Sequence, residues 1–145
     1  MRSKAPLALM EQLIMVLVFA LAAALCLQAF VRADTLSREH EQLDEAVRLA
    51  QNTAEVYKAC NGDQEQVLSR LGGQVEQGLW HAQFDENLAL TDDSDKAAYR
   101  AEVFPQPAQV EGLGSAVVSV FLSDGQQAIF SLPLAWQEEV SAHGE

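Results

Sequence analysis

Glu11 is the one acidic side chain in the apolar segment "LALMEQLIMVLVFALAAALCLQAFV", which runs from Leu7 to Val31. An ionised carboxylate is costly in hydrocarbon, so one found in such a segment is a functional residue by default. By helical rise, Glu11 stands about 6 Å inside the apolar start at Leu7. A second interpretation stays open, in which Glu11 and Gln12 mark the cytoplasmic end of a span that begins at Leu13.

The acidic run "TDDSDK", residues 91–96, could bind calcium. Asp92, Asp93 and Asp95 offer the carboxylate oxygens that hard cations prefer. The run lacks the glycine and the distal glutamate of an EF-hand loop, and a solvated turn explains it equally well.

The three histidines, His40, His81 and His143, share no metal-ligand spacing, and no glycine-rich phosphate-binding motif is present. We therefore expect no catalytic residues, no cofactor and no small-molecule substrate. Cys26 lies inside the apolar segment and Cys60 outside it, so they cannot pair within one molecule. We expect Cys60 to be a small buried hydrophobe, the alternative being an intermolecular thiol.

Residues 7–31 predict a transmembrane helix, because about 25 apolar residues span the hydrocarbon core with some tilt. Arg2 and Lys4 precede it, which predicts a cytoplasmic N-terminus and an extracytoplasmic C-terminal part, anchored in the inner membrane. Seven of the nine basic residues and twenty of the twenty-one acidic residues lie from Arg32 onward. Such an acidic part argues against direct binding of nucleic acid. An alternative is a signal peptide cleaved after Ala33.

No proline or glycine occurs between Leu7 and Asn61, so the helix should continue beyond the membrane as an amphipathic extension, residues 32–61. Asn61-Gly62 should supply the left-handed cap that ends it. Acid-then-base pairs four apart, Asp34 with Arg38 and Asp44 with Arg48, favour this helix. One apolar stripe follows it: Leu36, Leu43, Val47, Ala50, Ala54 and Tyr57. We expect the chain's own C-terminal part to cover this stripe, with a coiled-coil partner helix as the alternative.

Residues 62–140 predict a small α+β head, with a tail at 141–145. Asp63 should cap a short helix through Leu71, which Gly72-Gly73 should end, and about four antiparallel strands should follow. The predicted strands are residues 79–84, 97–104, 115–123 and 127–136, with Pro105 and Pro107 ending the second and Pro133 placing the last at an edge. We expect Trp80 and Trp136 to be core or sheet-face residues. The fold class is therefore α+β, a long N-terminal helix packed on a small antiparallel sheet.

The N-terminus resembles that of type IV pilins and of type II secretion pseudopilins. The basic leader "MRSKAP", residues 1–6, precedes "LALME" and an unbroken apolar helix. Residues 46–59, "AVRLAQNTAEVYKA", look like the helix of minor pilins and I-type minor pseudopilins. The resemblance implies leader cleavage before Leu7, with Glu11 four residues beyond the new N-terminus. The family's leader ends in Gly or Ala, whereas Pro6 stands here; cleavage after Ala5 would make Pro6 the first residue.

The resemblance also implies a function. Glu11 would pair with the N-terminal ammonium group of a neighbouring subunit as the helices bundle into a filament. The chain would then be a minor pilin-like or pseudopilin-like subunit of a type IV pilus, a secretion filament or a DNA-uptake filament. Its partners would be the membrane and other pilin-like subunits. The alternative is an uncleaved single-pass scaffold or assembly protein that pairs through its outer helix.

Overall fold

The computed structural model describes residues 5–107 and 110–138. The elements are the helices α1 (Ala5–Ala59) and α2 (Gln64–Leu71) and the strands β1 (Gln74–Glu76), β2 (Leu79–Phe84), β3 (Tyr99–Gln106), β4 (Leu113–Leu122) and β5 (Ala128–Gln137). The described residues up to Glu41 form one compact unit, and those from Gln42 onward form a second. A long helix followed by an antiparallel sheet confirms the predicted α+β class.

α1 ends at Ala59, just before the predicted Asn61-Gly62 cap and slightly short of the predicted bound at residue 61. Asn61 and Gly62 both have positive φ, 50° and 75°, which are the left-handed values that stop a helix. The N–H of Gly62 reaches back to the carbonyl of Tyr57 at 3.1 Å, so one of the last helical carbonyls is satisfied.

The buried side of α1 begins at Ala46. Ala50, Ala54 and Tyr57 are buried, as predicted, and Val47 is half-buried. The predicted stripe is wrong at its start, because Leu43 is 37% exposed and Leu36 is 54% exposed. The side chains of α1 in the core follow helical spacing: Ala46, Leu49, Ala50, Thr53, Ala54 and Tyr57.

α2 is a single capped helix. The carboxylate of Asp63 accepts hydrogen bonds from the N–H groups of Glu65 (3.0 Å) and Gln66 (3.4 Å). Gly72, at φ 73°, ends it, and its N–H bonds the carbonyl of Leu68. Both termini agree with the predicted caps.

The sheet has five strands in the order β1-β2-β3-β4-β5, all antiparallel to their neighbours. The prediction of about four strands omits β1, which is only three residues long. Its hairpin turns through Gln77 (φ 52°) and Gly78 (φ 81°). A left-handed glutamine is not a recognisable turn signal, which is why the strand was not predicted.

Pro105 lies inside β3, although the sequence predicts that it ends this strand. The carbonyl of Ala98 accepts the N–H of Ser123 at 2.9 Å, one step beyond the Tyr99/Leu122 pair. Since hydrogen-bonded positions alternate, Pro105 directs its nitrogen away from β4. β2 begins at Leu79, so no residue of β2 pairs with Pro105. The N–H that Pro105 lacks therefore costs no hydrogen bond between strands.

One face of the sheet forms the core together with α1. The buried strand residues alternate along each strand: Trp80, Ala82, Phe84, Tyr99, Ala101, Val103, Ala116, Val118, Val120 and Leu134. Trp80 is fully buried and its indole N–H donates to the carbonyl of Gly72 at 2.9 Å. The hydroxyl of Tyr99 donates to the carboxylate of Glu45, so a polar contact also ties the helix to the sheet. Cys60 is buried, as predicted.

Tyr57 and Trp136 pack edge to face, with ring centroids 5.4 Å apart. The Trp136 ring also covers Gly114, its cross-strand partner. A Cβ atom added to Gly114 would lie 2.2 to 2.4 Å from atoms of the indole. The absence of a side chain at Gly114 is therefore what lets Trp136 lie against β4.

Gly114→Ala should accordingly destabilise the second unit by about 1 to 3 kcal/mol, the range for overpacking a core. Both tryptophans, Trp80 and Trp136, lie in this unit, so urea unfolding followed by tryptophan fluorescence reports on it alone. Gly125→Ala is the matched control, since its Cβ would meet nothing closer than 3.4 Å. Equal midpoints for the two variants would contradict this account of Gly114.

Stability should fall at high pH because of Tyr57. Burial raises the pKa of Tyr57 above its ordinary value of 10.0, and a side-chain hydrogen bond with Gln64 offsets part of that rise. Above pH 10 the unfolded phenol ionises while the folded one resists, so stability present below that pH is lost as pH rises. Urea midpoints measured between about pH 8 and about pH 11 should drop less steeply for Tyr57→Phe than for the natural chain. Identical slopes would show that Tyr57 is not the cause.

Candidate assembly surface of the N-terminal helix

Glu11 lies on the exposed surface of α1, two turns from its start. Leu7, Ile14 and Met15 stand one turn away on the same face, and they are 78%, 53% and 63% exposed. Among the described residues Glu11 has no ion-pair or hydrogen-bond partner. The carboxylate is therefore a single charge within an otherwise apolar patch.

The apolar surface around Glu11 continues along the helix. Every residue from Pro6 to Val31 is exposed, and residues 13–27 contain no polar side chain. Among the described residues, one helix is long and apolar enough to cross a membrane, a criterion that a signal sequence also meets. The segment is thus compatible with a single-pass membrane anchor.

The residues of the predicted leader cleavage lie in the first turn of α1. Ala5 is the first helical residue, and Pro6 and Leu7 follow it. A proline is tolerated there because the first N–H groups of a helix have no intrahelical partner. Cleavage on either side of Pro6 stays a prediction.

The helix beyond the apolar segment is polar and exposed through Asp44. Arg38 and Asp34 form the predicted ion pair at 3.2 Å, with both side chains largely exposed. The predicted pair of Asp44 with Arg48 does not form. Exposed pairs contribute little to stability, so neither observation changes the helix.

The acidic run at 91–96 forms a self-capped turn. The carboxylate of Asp93 accepts the N–H of Asp95 at 3.1 Å, and its other oxygen pairs with Lys96 at 3.3 Å. The Asp93 N–H in turn bonds the hydroxyl of Thr91. Within residues 5–107 and 110–138, no three metal-binding side chains come together. These contacts are those of a solvated turn, and calcium binding by this loop is not tested by them.

The histidines have separate surroundings. His40 is exposed on α1, and His81 lies in β2 opposite Glu102; His143 lies outside the described residues. Glu102 pairs with Arg100 at 2.8 Å, and the Arg100 guanidinium stands 4.9 Å from the centre of the Phe121 ring. Arg100 and Glu102 share the outer sheet face because they lie two residues apart on β3, whereas only the strand register brings His81 and Phe121 beside them.

Among the candidate site residues, Glu11 is therefore the one charged side chain that is surrounded by exposed apolar side chains. Tyr99 and Glu45, which link sheet and helix, were missed, since they lie 54 residues apart in the chain. Comparison of the chain with protein-family models, with curated proteins and with solved structures found no match.

Proposed function

We propose that the chain is a minor pilin-like or pseudopilin-like subunit that assembles through its N-terminal helix into a type IV pilus, secretion or DNA-uptake filament. It has no enzymatic activity of its own in this proposal. The observation that carries it is the pairing, on one continuous helix, of an exposed apolar segment containing a single acid with a polar extension. The last turns of that helix then pack on an antiparallel sheet.

The exposed apolar segment needs a cover. Fully burying a side chain such as Leu, Val, Met or Phe is worth about 1.5 to 3 kcal/mol. Between Leu7 and Val31 more than a dozen such side chains are exposed, far more than a soluble monomer leaves uncovered. Lipid covers them while the subunit is free, and neighbouring helices cover them in a filament.

Glu11 suits an assembly contact better than a lipid contact. In lipid its charge is unpaired, which is costly at any depth beyond the interface. In a helical bundle it pairs with the N-terminal ammonium group of the next subunit, which fixes the axial position of one helix against another. The charge thereby favours the assembled state over the free one.

The head supplies the outward surface of such a subunit. The acidic composition of the chain from Arg32 onward, twenty acids against seven bases, disfavours nucleic acid as a direct partner. The proposed partners are the membrane and other pilin-like subunits. The subunit would stand in the inner membrane with its N-terminus in the cytoplasm and its head outside, and at the cell surface once a filament is assembled.

A second candidate is an uncleaved single-pass scaffold whose outer helix pairs with a partner helix. The exposure of Leu36 and Leu43 favours it, because apolar residues seven apart recur on one side of a coiled coil. Two such positions provide only a short apolar contact for a coiled coil, and we therefore prefer the filament subunit.

The intact mass of the protein recovered from the membranes and from the soluble and secreted fractions of its own cells tests these functions. Loss of the first five or six residues, by cleavage after Ala5 or Pro6, would support the filament subunit. A full-length chain would favour the scaffold. Loss of 33 residues, by cleavage after Ala33, would show a secreted domain and overturn both.

A further inference from the structure

β5 forms a free edge of the sheet. It is the last strand in the order and pairs only with β4 among the described residues. The opposite edge strand, β1, has three residues, whereas β5 has ten. A long edge strand offers unpaired N–H and C=O groups to any other strand that reaches it.

The hydrogen bonds show which residues of β5 face this edge. Every second residue of an antiparallel strand directs its backbone groups to the partner. The N–H of Glu138 donates to the carbonyl of Gly112 at 3.0 Å, one step beyond the Leu113/Gln137 pair. Near this end of β5, the backbone N–H and C=O groups of even-numbered residues therefore bond to β4. Those of odd-numbered residues face outward, away from the sheet.

Two further contacts agree with this assignment. The bond from Ser123 to Ala98 directs the odd-numbered residues of β4 toward β3, which leaves the even-numbered ones for β5. Ser119 and Ser131 then form a non-hydrogen-bonded pair, in which side chains stand close, and their hydroxyl oxygens are 2.9 Å apart. The outward row is Ser131, Pro133, Ala135 and Gln137.

Pro133 is the one protective residue on this edge. Charged side chains and prolines are the usual means of keeping edge strands apart. The sequence of β5, "AIFSLPLAWQ", contains no charge, and all four residues of the outward row are exposed. Pro133 stands in the middle of that row, where it removes an N–H and places its ring in the path of an incoming strand.

We propose that Pro133 keeps the β5 edge from pairing with the β5 edge of a second copy of this chain. Without it, the edge is an uncharged template of ten residues that can extend the sheet from one molecule into the next. The inference rests on the sheet alone and holds whether or not the chain assembles into a filament.

Amide hydrogen exchange of the full-length natural chain in detergent tests the edge assignment. The amides of Ser131, Ala135 and Gln137 should exchange much faster than those of Leu132, Leu134 and Trp136. The reverse order would place the Pro133 nitrogen toward β4 and overturn the proposal, even if no variant could be prepared.

Pro133→Val tests the consequence. This variant restores the outward N–H, and its protein mass by light scattering in detergent should rise to that of a dimer or larger, with the outward amides now protected. Ala135→Val is the matched control, since it adds a β-branched side chain in the same row without adding a donor, and it should keep the mass of the natural chain. A Pro133→Val protein of unchanged mass, or equal association of both variants, would overturn the proposal.

Discussion

Glu11→Ala should reduce incorporation of the chain into filaments about a hundredfold or more, while its level in the membrane stays unchanged. Removing one member of a buried ion pair costs about 3 to 5 kcal/mol, because the other charge stays buried and unpaired. Each 1.4 kcal/mol is about tenfold in association. The measurement is the amount of the chain that co-purifies with the other pilin-like proteins of the same cell, relative to the amount in the membrane.

Alanine at this position makes the segment more apolar, so membrane insertion should be at least as favourable as in the natural chain. A loss of incorporation is then a loss of the subunit contact. Glu11→Gln keeps the size and removes the charge, and it should behave like the alanine variant. Gln12→Ala, one residue away on the exposed helix, should incorporate normally. Normal incorporation of both Glu11 variants would contradict the ion-pair role.

The parts of the fold that the sequence predicts are those set by local chemistry. Asp63 with Gly72, and Asn61 with Gly62, mark helix ends through side-chain and left-handed caps, which need only neighbouring residues. The sequence predicts both ends of β2 correctly, since apolar and polar side chains alternate along it.

The predictions are wrong where the structure of a segment depends on an element far away in the sequence. Leu36 and Leu43 continue the apolar spacing of α1, yet the burial of α1 begins only at Ala46, a limit that depends on the sheet and not on helical periodicity. Pro105 continues β3 because β2 has already run out beside it, a fact about strand lengths. Neither result can be predicted from the local sequence alone.

The candidate site shows the same division. That Glu11 lies alone on an exposed apolar helix could be predicted from the segment, because a helix without Pro or Gly keeps its register. The group that would neutralise it belongs, in the proposed function, to another subunit. The outward row of β5 follows once Pro133 is placed inside an edge strand, because its nitrogen then faces outward and every second residue shares that direction. The sequence leaves open whether Pro133 lies inside the strand or near its end.

Small residues form part of the contact between α1 and the sheet, beside Leu49 and Tyr57. Ala46 and Ala50 are fully buried and Ala54 is 4% exposed, so these three positions lie inside the core. A side chain that replaces Ala50 would start inside this buried cluster and be surrounded by apolar side chains. A charge placed on this stripe would therefore be buried without a partner, which is among the most destabilising single changes.

Ala50→Asp should accordingly destabilise the second unit by about 3 to 5 kcal/mol, the cost of an uncompensated buried charge. Gln51→Asp is the matched control: it adds the same charge one residue along the same helix at an exposed position, and should change stability by less than about 0.5 kcal/mol. Urea unfolding followed by the fluorescence of Trp80 and Trp136 measures both variants on the same signal. Similar midpoints would mean that this side of α1 is open to water, against the packing on which the α+β head depends.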